Sequence, residues 1–238
     1  MELFPFSKDI ELNQSGMSLF VNYQKVIEHI GPILTEHRRE VIDRVVQNRI
    51  YKTSVVLDGL HDRGNVSAVM RTAEALGFVS FHVVESAAKF KEANRVTKGA
   101  DKWLEVERWK EPTSCIRKLK DQGLKIVCTS LEASVPISEI DFSVPTALVL
   151  GNERDGVSQE FLKASDARVI LPMTGFVQSY NISVAASIAL YHVWNEAFTK
   201  HMQRMTEEEV KVMRAHYYLR SLDSAEKTLR ELAARGTI

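Results

Sequence analysis

The chain is 238 residues long, 45% apolar and 26% charged, which is ordinary for a soluble globular protein and argues against intrinsic disorder. Its 31 basic and 31 acidic side chains cancel, so net charge gives no argument for a nucleic-acid partner, and its two cysteines have neither metal-ligand nor Cys-x-x-Cys spacing. The N-terminus lacks the basic start and apolar run of a secretory signal, and the most apolar stretch, residues 182–194, is too short and too rich in Ser and His to span a membrane. A cytoplasmic protein is therefore expected, with Cys115 and Cys128 as buried, reduced thiols, no disulfide framework and no metal site.

In chain order, residues 1–16 show no sustained period and read as an arm. Residues 18–50 read as helical: Val26, Ile27 and Ile30 precede a break at Gly31-Pro32, then Val41, Ile42, Val45, Val46 and Ile50 form a stripe flanked by Arg38, Arg39, Arg44 and Arg49. The β-branched run 54–57 is the first core strand, ending at Asp58-Gly59. A helix over 67–76 closed by Gly77 and a strand over 81–84 complete a β-loop-α-β unit. Residues 98–106 carry a short strand, 113–122 a helix closed by Gly123, 125–128 and 147–151 two strands, 158–164 a short helix and 168–171 the last strand. A polar loop holding Pro172 and Gly175 leads into an apolar, small-residue helix from Ile182. Beyond Thr199, an acidic first turn, Thr206-Glu207-Glu208-Glu209, opens a charged helix, and a second runs over 224–234.

Strands alternating with helical segments make an α/β fold, a mostly parallel sheet with helices on both faces and helical N- and C-terminal extensions. The expected organisation is an N-terminal arm and helices over 1–52, a central domain over 53–198 and a C-terminal helical extension over 199–238. Residues 36–52 hold five basic and three acidic side chains and residues 200–238 eight and six, so both ends are mildly basic.

Three loops follow strands at what should be one edge of the sheet, where open α/β folds bind ligands. They are residues 58–71, residues 151–156 and the stretch beginning at Leu171. Each has a plain structural account: Asn65 as a helix N-cap, Arg71 as a surface arginine, Gly151-Asn152-Glu153 as a strand-ending turn, Gln178-Ser179-x-Asn181 as a helix cap. None carries Gly-x-Gly-x-x-Gly or a P-loop, so dinucleotide or nucleoside triphosphate binding is not supported.

Taken together and in order, Asn65-Val66-Ser67-Ala68-Val69-Met70-Arg71-Thr72, Leu150-Gly151-Asn152-Glu153-Arg154-Asp155-Gly156-Val157, and Leu171-Pro172-Met173 through Gln178-Ser179-Tyr180-Asn181-Ile182-Ser183-Val184-Ala185 resemble the three motifs of the SPOUT methyltransferases. The resemblance spans residues 36–234. It is to the branch that methylates RNA ribose 2′-hydroxyls, TrmH-type tRNA guanosine-18 methyltransferases in particular. Residues 95–104 and the tail helices look like that branch too. Tyr180 stands where relatives usually carry leucine, and Asp62-Arg63-Gly64 stands where they usually carry a proline and a bulkier residue.

The resemblance implies a deep C-terminal trefoil knot, a homodimer formed through the knot region, and S-adenosylmethionine as cofactor. It implies that Thr129, Leu150, Gly151, Leu171, Met173, Ser179, Tyr180 and Asn181 hold the cofactor. Arg71 is then the essential arginine, with Asn65, Glu153, Ser179 and Asn181 positioning it, the ribose and the cofactor. The expected activity is methyl transfer to a ribose 2′-hydroxyl of tRNA, with guanosine 18 as the first candidate. The alternatives are another tRNA position, ribosomal RNA, or a non-catalytic RNA-binding or assembly protein of the same fold. Relatives acting on ribosomal RNA often carry a separate N-terminal RNA-binding domain, whereas 53 residues precede the first expected core strand here, which favours tRNA. Arg38, Arg39, Arg44 and Arg49, with Arg214, Arg220, Lys227 and Arg230 of the tail, are the expected phosphate contacts.

Overall fold

The N-terminal segment, expected as an irregular arm, is a β-hairpin. In the computed structural model, which describes residues 3–14, 17–59, 62–85, 99–132, 134–199 and 205–238, strand β1 (Asp9–Gln14) pairs antiparallel with β2 (Met17–Asn22). Ile10, Leu12 and Val21 are buried and Glu11 and Asn13 exposed, a two-residue alternation too brief to stand out in the sequence. The expected helical run from residue 18 therefore begins late. Asn22 caps α1 (Tyr23–Ile30) by accepting from the Gln24 amide at 3.1 Å. Gly31-Pro32 makes a single 3₁₀ turn, and Thr35 caps α2 (Glu36–Val46) by accepting from the Arg38 amide at 3.2 Å.

Ile50 belongs to the sheet rather than to the helical stripe. It opens β3 (Ile50–Asp58), donating its N–H to Gly77 O at 2.7 Å. Helix α3 (Arg63–Ala75) starts four residues before the expected position, because the Asp62 carboxylate accepts from the Asn65 amide at 2.7 Å and caps it there. Asn65 is thus inside the first turn and not the cap. Then come β4 (Phe78–Val84), β5 (Glu105–Trp109), α4 (Pro112–Asp121), β6 (Lys125–Thr129), the short β7 (Val135–Pro136), β8 (Thr146–Leu150), α5 (Gln159–Ala164), β9 (Ala167–Ile170) and α6 (Ile182–Thr199). The strand expected over 98–106 lies later, because residues 100–103 form a 3₁₀ turn; residues 95–98 lie outside the described residues. Strand β7 went unanticipated, since Val135-Pro136 is too short to show any period. Helices α7 (Glu207–Ser221) and α8 (Ala225–Ala234) close the chain.

Seven strands form one parallel sheet in the order β5-β4-β3-β8-β6-β9-β7. Side chains alternate between its faces. Val55, Leu57, Phe81, Val83, Val127, Leu148 and Leu150 join the core under α3 and α6, while Val56, Val84, Ile126, Cys128, Ala147 and Val149 join the core under α4 and α5. Burial on both faces is why these strands read as continuous apolar runs. Cys115 and Cys128 are free and buried, and burial pushes the Cys128 thiol up to about 12 and the Cys115 thiol higher still. Among the described residues, no helix is long and apolar enough to cross a membrane.

The contacts divide the chain into two units, Met1–Leu3 with Ile50–Gln203 and Phe4–Arg49 with Arg204–Ile238. The terminal unit has its own core, in which α7 packs on α1 and α2 and Val26, Ile30, Ile42, Val46, Met213 and Tyr217 are buried. The acidic first turn of α7 is a reciprocal cap: Thr206 Oγ1 accepts from the Glu209 amide at 3.2 Å and Glu209 Oε2 from the Thr206 amide at 2.7 Å.

Candidate active site at the carboxyl edge of the sheet

Because every pairing in the sheet is parallel, the loops after β3, β6, β8 and β9 leave from one edge. The order of connection reverses between β3 and β8, and at such a switch point two loops diverge and leave a crevice. The loops that flank it are the first two motifs. The Asn65 side-chain amide donates to Glu153 Oε1, joining the first turn of α3 to the loop after β8.

The second loop is tightly bracketed. Asn152 and Gly156 exchange backbone hydrogen bonds of 3.0 and 3.1 Å, and Asn152 Oδ1 accepts from the Arg154 and Asp155 amides at 2.9 and 2.7 Å. Gly151 leaves no room for a side chain: a Cβ there would lie 2.1 Å from the Gly156 carbonyl carbon. The plain reading of 151–153 as a turn is correct in geometry, and the turn carries Glu153 at its exposed tip.

The third loop ends at Asn181, which caps α6. Its Oδ1 accepts from Ser183 N at 2.9 Å and Ser183 Oγ at 2.6 Å, and its carbonyl accepts from Val184 and Ala185. Tyr180, the departure from leucine, donates its hydroxyl to Pro172 O at 3.2 Å and ties the two ends of the loop in a way leucine cannot. Helix α6 is registered on α3 by hydroxyls. Ser187 Oγ donates to Ser183 O at 2.7 Å and meets Thr72 Oγ1 at 3.3 Å, and Thr72 Oγ1 donates to Ala68 O at 3.1 Å. This relay runs from the Asn181 cap to the residue beside Arg71. Sequence reading missed it, although hydroxyls at Thr72 and Ser187 on otherwise apolar helix faces are its visible signal.

Arg71 is exposed on α3, and Ser179 is exposed in the third loop. Asn65, Glu153 and Asn181 have defined partners. Leu150 and Leu171 are buried with their side chains in the core beneath α3 and α6, so only their backbone groups can face a ligand. Thr129 is half-buried with its hydroxyl donating to Val149 O at 3.2 Å, and Met173 is half-buried. Among the described residues, no cluster of His, Cys, Asp or Glu could hold a metal ion.

The sequence profile described as the SpoU rRNA Methylase family matches residues 52–191, which include all three motifs. The chain belongs to the SpoU family. A tRNA (guanosine(18)-2′-O)-methyltransferase of Aquifex aeolicus is 32% identical over 203 residues, covering 83% of this chain and 96% of that one. The crystal structure of the A. aeolicus TrmH/SpoU tRNA modifying enzyme superposes with a TM-score of 0.72 at 32% identity, over 79% of this chain and 98% of that one. The SpoU methyltransferase AviRb from Streptomyces viridochromogenes, in complex with the cofactor AdoMet, superposes with a TM-score of 0.58 at 25% identity, over 64% of this chain and 62% of that one. This SpoU chain therefore carries its family's motifs on a sheet whose topology brings the first two together.

The terminal arginines divide. Arg38 and Arg44 are exposed on α2, and Arg39 is half-buried with a guanidinium nitrogen donating to Gly31 O at 3.4 Å. Arg49, expected as a phosphate contact, is 3% exposed, with its guanidinium 5.3 Å over the Tyr217 ring, and has no surface to offer a phosphate. Arg214 is ion-paired with Asp43 at 2.6 Å, and Arg220 stacks over the Phe6 and Tyr217 rings. Arg230 donates to the Leu12 and Met17 carbonyls and fastens α8 to the hairpin. Lys227 is exposed and lies 4.0 Å from Glu231. The sequence gives no sign of this division, because aromatic and carbonyl partners for an arginine are distant in the chain.

Proposed function

We propose that the protein transfers a methyl group to a ribose 2′-hydroxyl of tRNA, with guanosine 18 the first candidate nucleotide. The observation that carries this reading is the tie between Asn65 and Glu153, which brings two family motifs 88 residues apart to the switch point of the sheet. The identity with the A. aeolicus guanosine-18 methyltransferase over nearly all of that enzyme's length supports the substrate.

The chemistry of the loops suits S-adenosylmethionine. Backbone groups at Thr129, Gly151, Leu171 and Tyr180 can bond an adenosine, the ring of Tyr180 and the side chain of Met173 offer apolar surface, and Ser179 and Asn181 lie at the mouth of α6. When bound, the cofactor supplies an electrophilic methyl group on a sulfonium. A 2′-hydroxyl is a poor nucleophile, so the protein must orient it and stabilise negative charge as its proton leaves. A guanidinium offers donors and positive charge and no acceptor, so Arg71 serves as a clamp on the adjacent phosphate and on the developing alkoxide rather than as a base. Glu153 and Asn65 hold one another in place at the first turn of the same helix. Asn181 fixes the start of α6 and Ser179 faces the ribose.

The family's deep trefoil knot and homodimer belong to the same reading. The knot is supported by the position of β9 between β6 and β7 and by the packing of α6 back on α3. The dimer is supported by Val184, Ile188 and Tyr191, which are 47, 42 and 58% exposed at helical spacing on α6. The functional division assigns RNA contact to residues 1–52 and 199–238, methyl transfer to 53–198, and the cytoplasm as location.

Incubation with labelled S-adenosylmethionine and total tRNA, followed by mapping of the methylated nucleotide, tests the whole proposal. Label at guanosine 18 is the expected result; label at another tRNA position would move the target nucleotide, and no label in tRNA beside label in ribosomal RNA assayed in parallel would favour an rRNA substrate. Two further outcomes are expected. Asn181→Ala loses about 1 kcal/mol of stability as a helix cap, measurable by denaturant unfolding, whereas turnover or cofactor affinity falls roughly tenfold or more. A variant whose activity loss is fully explained by unfolding would remove Asn181 from the site. Replacing both Arg38 and Arg44 by alanine weakens tRNA binding and reduces the slope of log K against log salt by roughly 1.5. Arg49→Ala should leave that slope alone and cost on the order of 2 kcal/mol of stability through lost stacking and packing.

A further inference from the structure

Asp58, at the end of β3, is a carboxylate only 3% exposed. Burial raises its pKa, and the Ser158 amide is the main opposing influence. Asp58 Oδ2 accepts from that amide at 2.7 Å. Ser158 is where the second loop ends and α5 begins, and its hydroxyl is buried beside the same carboxylate without a well-formed hydrogen bond. The next residue, Gly59, has φ of 68°, and a Cβ there would meet the Asn152 side-chain amide at 3.2 Å. The end of β3 therefore reaches the second loop at both ends, Asn152 near its start and Ser158 at its close. Glu153, between them, is tied to Asn65.

A buried carboxylate is costly unless a charge-assisted hydrogen bond compensates it, and an apolar residue would fill this position at the end of a core strand at lower cost. What the carboxylate adds is a fixed anchor for one backbone amide. We propose that Asp58 is a positioning residue for methyl transfer: by gripping the Ser158 amide it holds residues 151–157 in register with α3, so that Glu153 meets Asn65 in the first turn of the helix that carries Arg71. This inference rests on the reading of the three loops as the methyl-transfer site. Asp58 touches no reacting group and acts through the loop.

The test compares the full-length wild-type protein with Asp58→Ala and Asp58→Asn, using methyl-transfer kinetics on tRNA and backbone hydrogen exchange without tRNA. Asp58→Ala should lose about tenfold or more in kcat with KM for tRNA within about twofold. Exchange should quicken across residues 152–158 while β3 and β8 stay protected. Asp58→Asn should recover most of the transfer, because its side-chain oxygen can still accept from Ser158. If the alanine variant does not fold, Asp58→Ser takes its place with the same expectation, its hydroxyl being too short to reach the amide. Transfer by the alanine or serine variant within about twofold of wild type, or an asparagine variant as impaired as they are, overturns the clamp. Absence of methyl transfer by the wild-type protein would instead defeat the functional reading. In that event the exchange measurement alone decides whether Asp58 holds the loop, and unchanged exchange refutes it.

Discussion

Arg71→Ala is expected to lose on the order of a hundredfold or more in methyl transfer to tRNA while unfolding at the wild-type temperature. The two halves of this expectation have separate causes. Helix α3 is held by the Asp62 cap and by Val66, Val69, Met70 and Ala73 in the core, none of which involves the exposed guanidinium. Removing an exposed side chain away from such features changes stability by no more than about 0.5 kcal/mol. Turnover is different, since the third loop, residues 171–181, holds no Lys or Arg, and Arg63 opens α3 eight residues before Arg71. Arg71→Lys keeps the charge and loses the planar fork, so it should restore only part of the lost rate. Single-turnover assays with calorimetric unfolding check both halves, and near-normal transfer by the alanine variant would remove Arg71 from the mechanism.

The sheet was legible because its chemistry is local and repetitive. The runs ending at Leu57, Val84, Cys128 and Leu150 are apolar on both faces, and the glycines at 77 and 123 close helices in the left-handed region, with φ of 86° and 75°. The N-terminal hairpin was not legible, because its buried alternation is confined to Ile10 and Leu12 on one strand and Val21 on the other. Of the site, the three motifs were readable as polar insertions between apolar runs. Their placement at one edge followed from the expected parallel strands, but the meeting of the first two did not, since the Asn65–Glu153 tie depends on strands β3 and β8 being neighbours, and nothing in a linear pattern states strand order. The start of α3 was readable in retrospect: Asp62 stands three residues before Asn65, the spacing of a cap and the amide it accepts. The arginines show the opposite failure. Spacing alone treats Arg44 and Arg49 alike, yet Arg44 is on the surface and Arg49 lies beneath Tyr217.

Gly151→Ala is expected to abolish most methyl transfer by a route distinct from that of Arg71. The requirement at Gly151 is space rather than backbone conformation. An added Cβ would lie 2.1 Å from the Gly156 carbonyl carbon, 2.2 Å from Val157 N and 2.3 Å from Gly156 O, all backbone atoms that cannot swing aside. Relief requires one arm of the second loop to move by about 1 Å, and overpacking of this kind commonly costs 1–3 kcal/mol. Such a shift strains the paired hydrogen bonds between Asn152 and Gly156. It also moves Glu153 relative to Asn65, and Ser158 relative to Asp58. A displacement of about 1 Å at catalytic distance can cost on the order of a hundredfold in rate. Because the Gly151 backbone is also a proposed cofactor contact, affinity for S-adenosylmethionine should fall together with kcat, whereas Arg71→Ala should leave cofactor affinity close to wild type. Equilibrium dialysis with labelled cofactor, run beside transfer assays on both variants, separates the two routes. A folded Gly151→Ala protein that binds the cofactor and methylates tRNA normally would show that the bracketed loop is not what holds the site together.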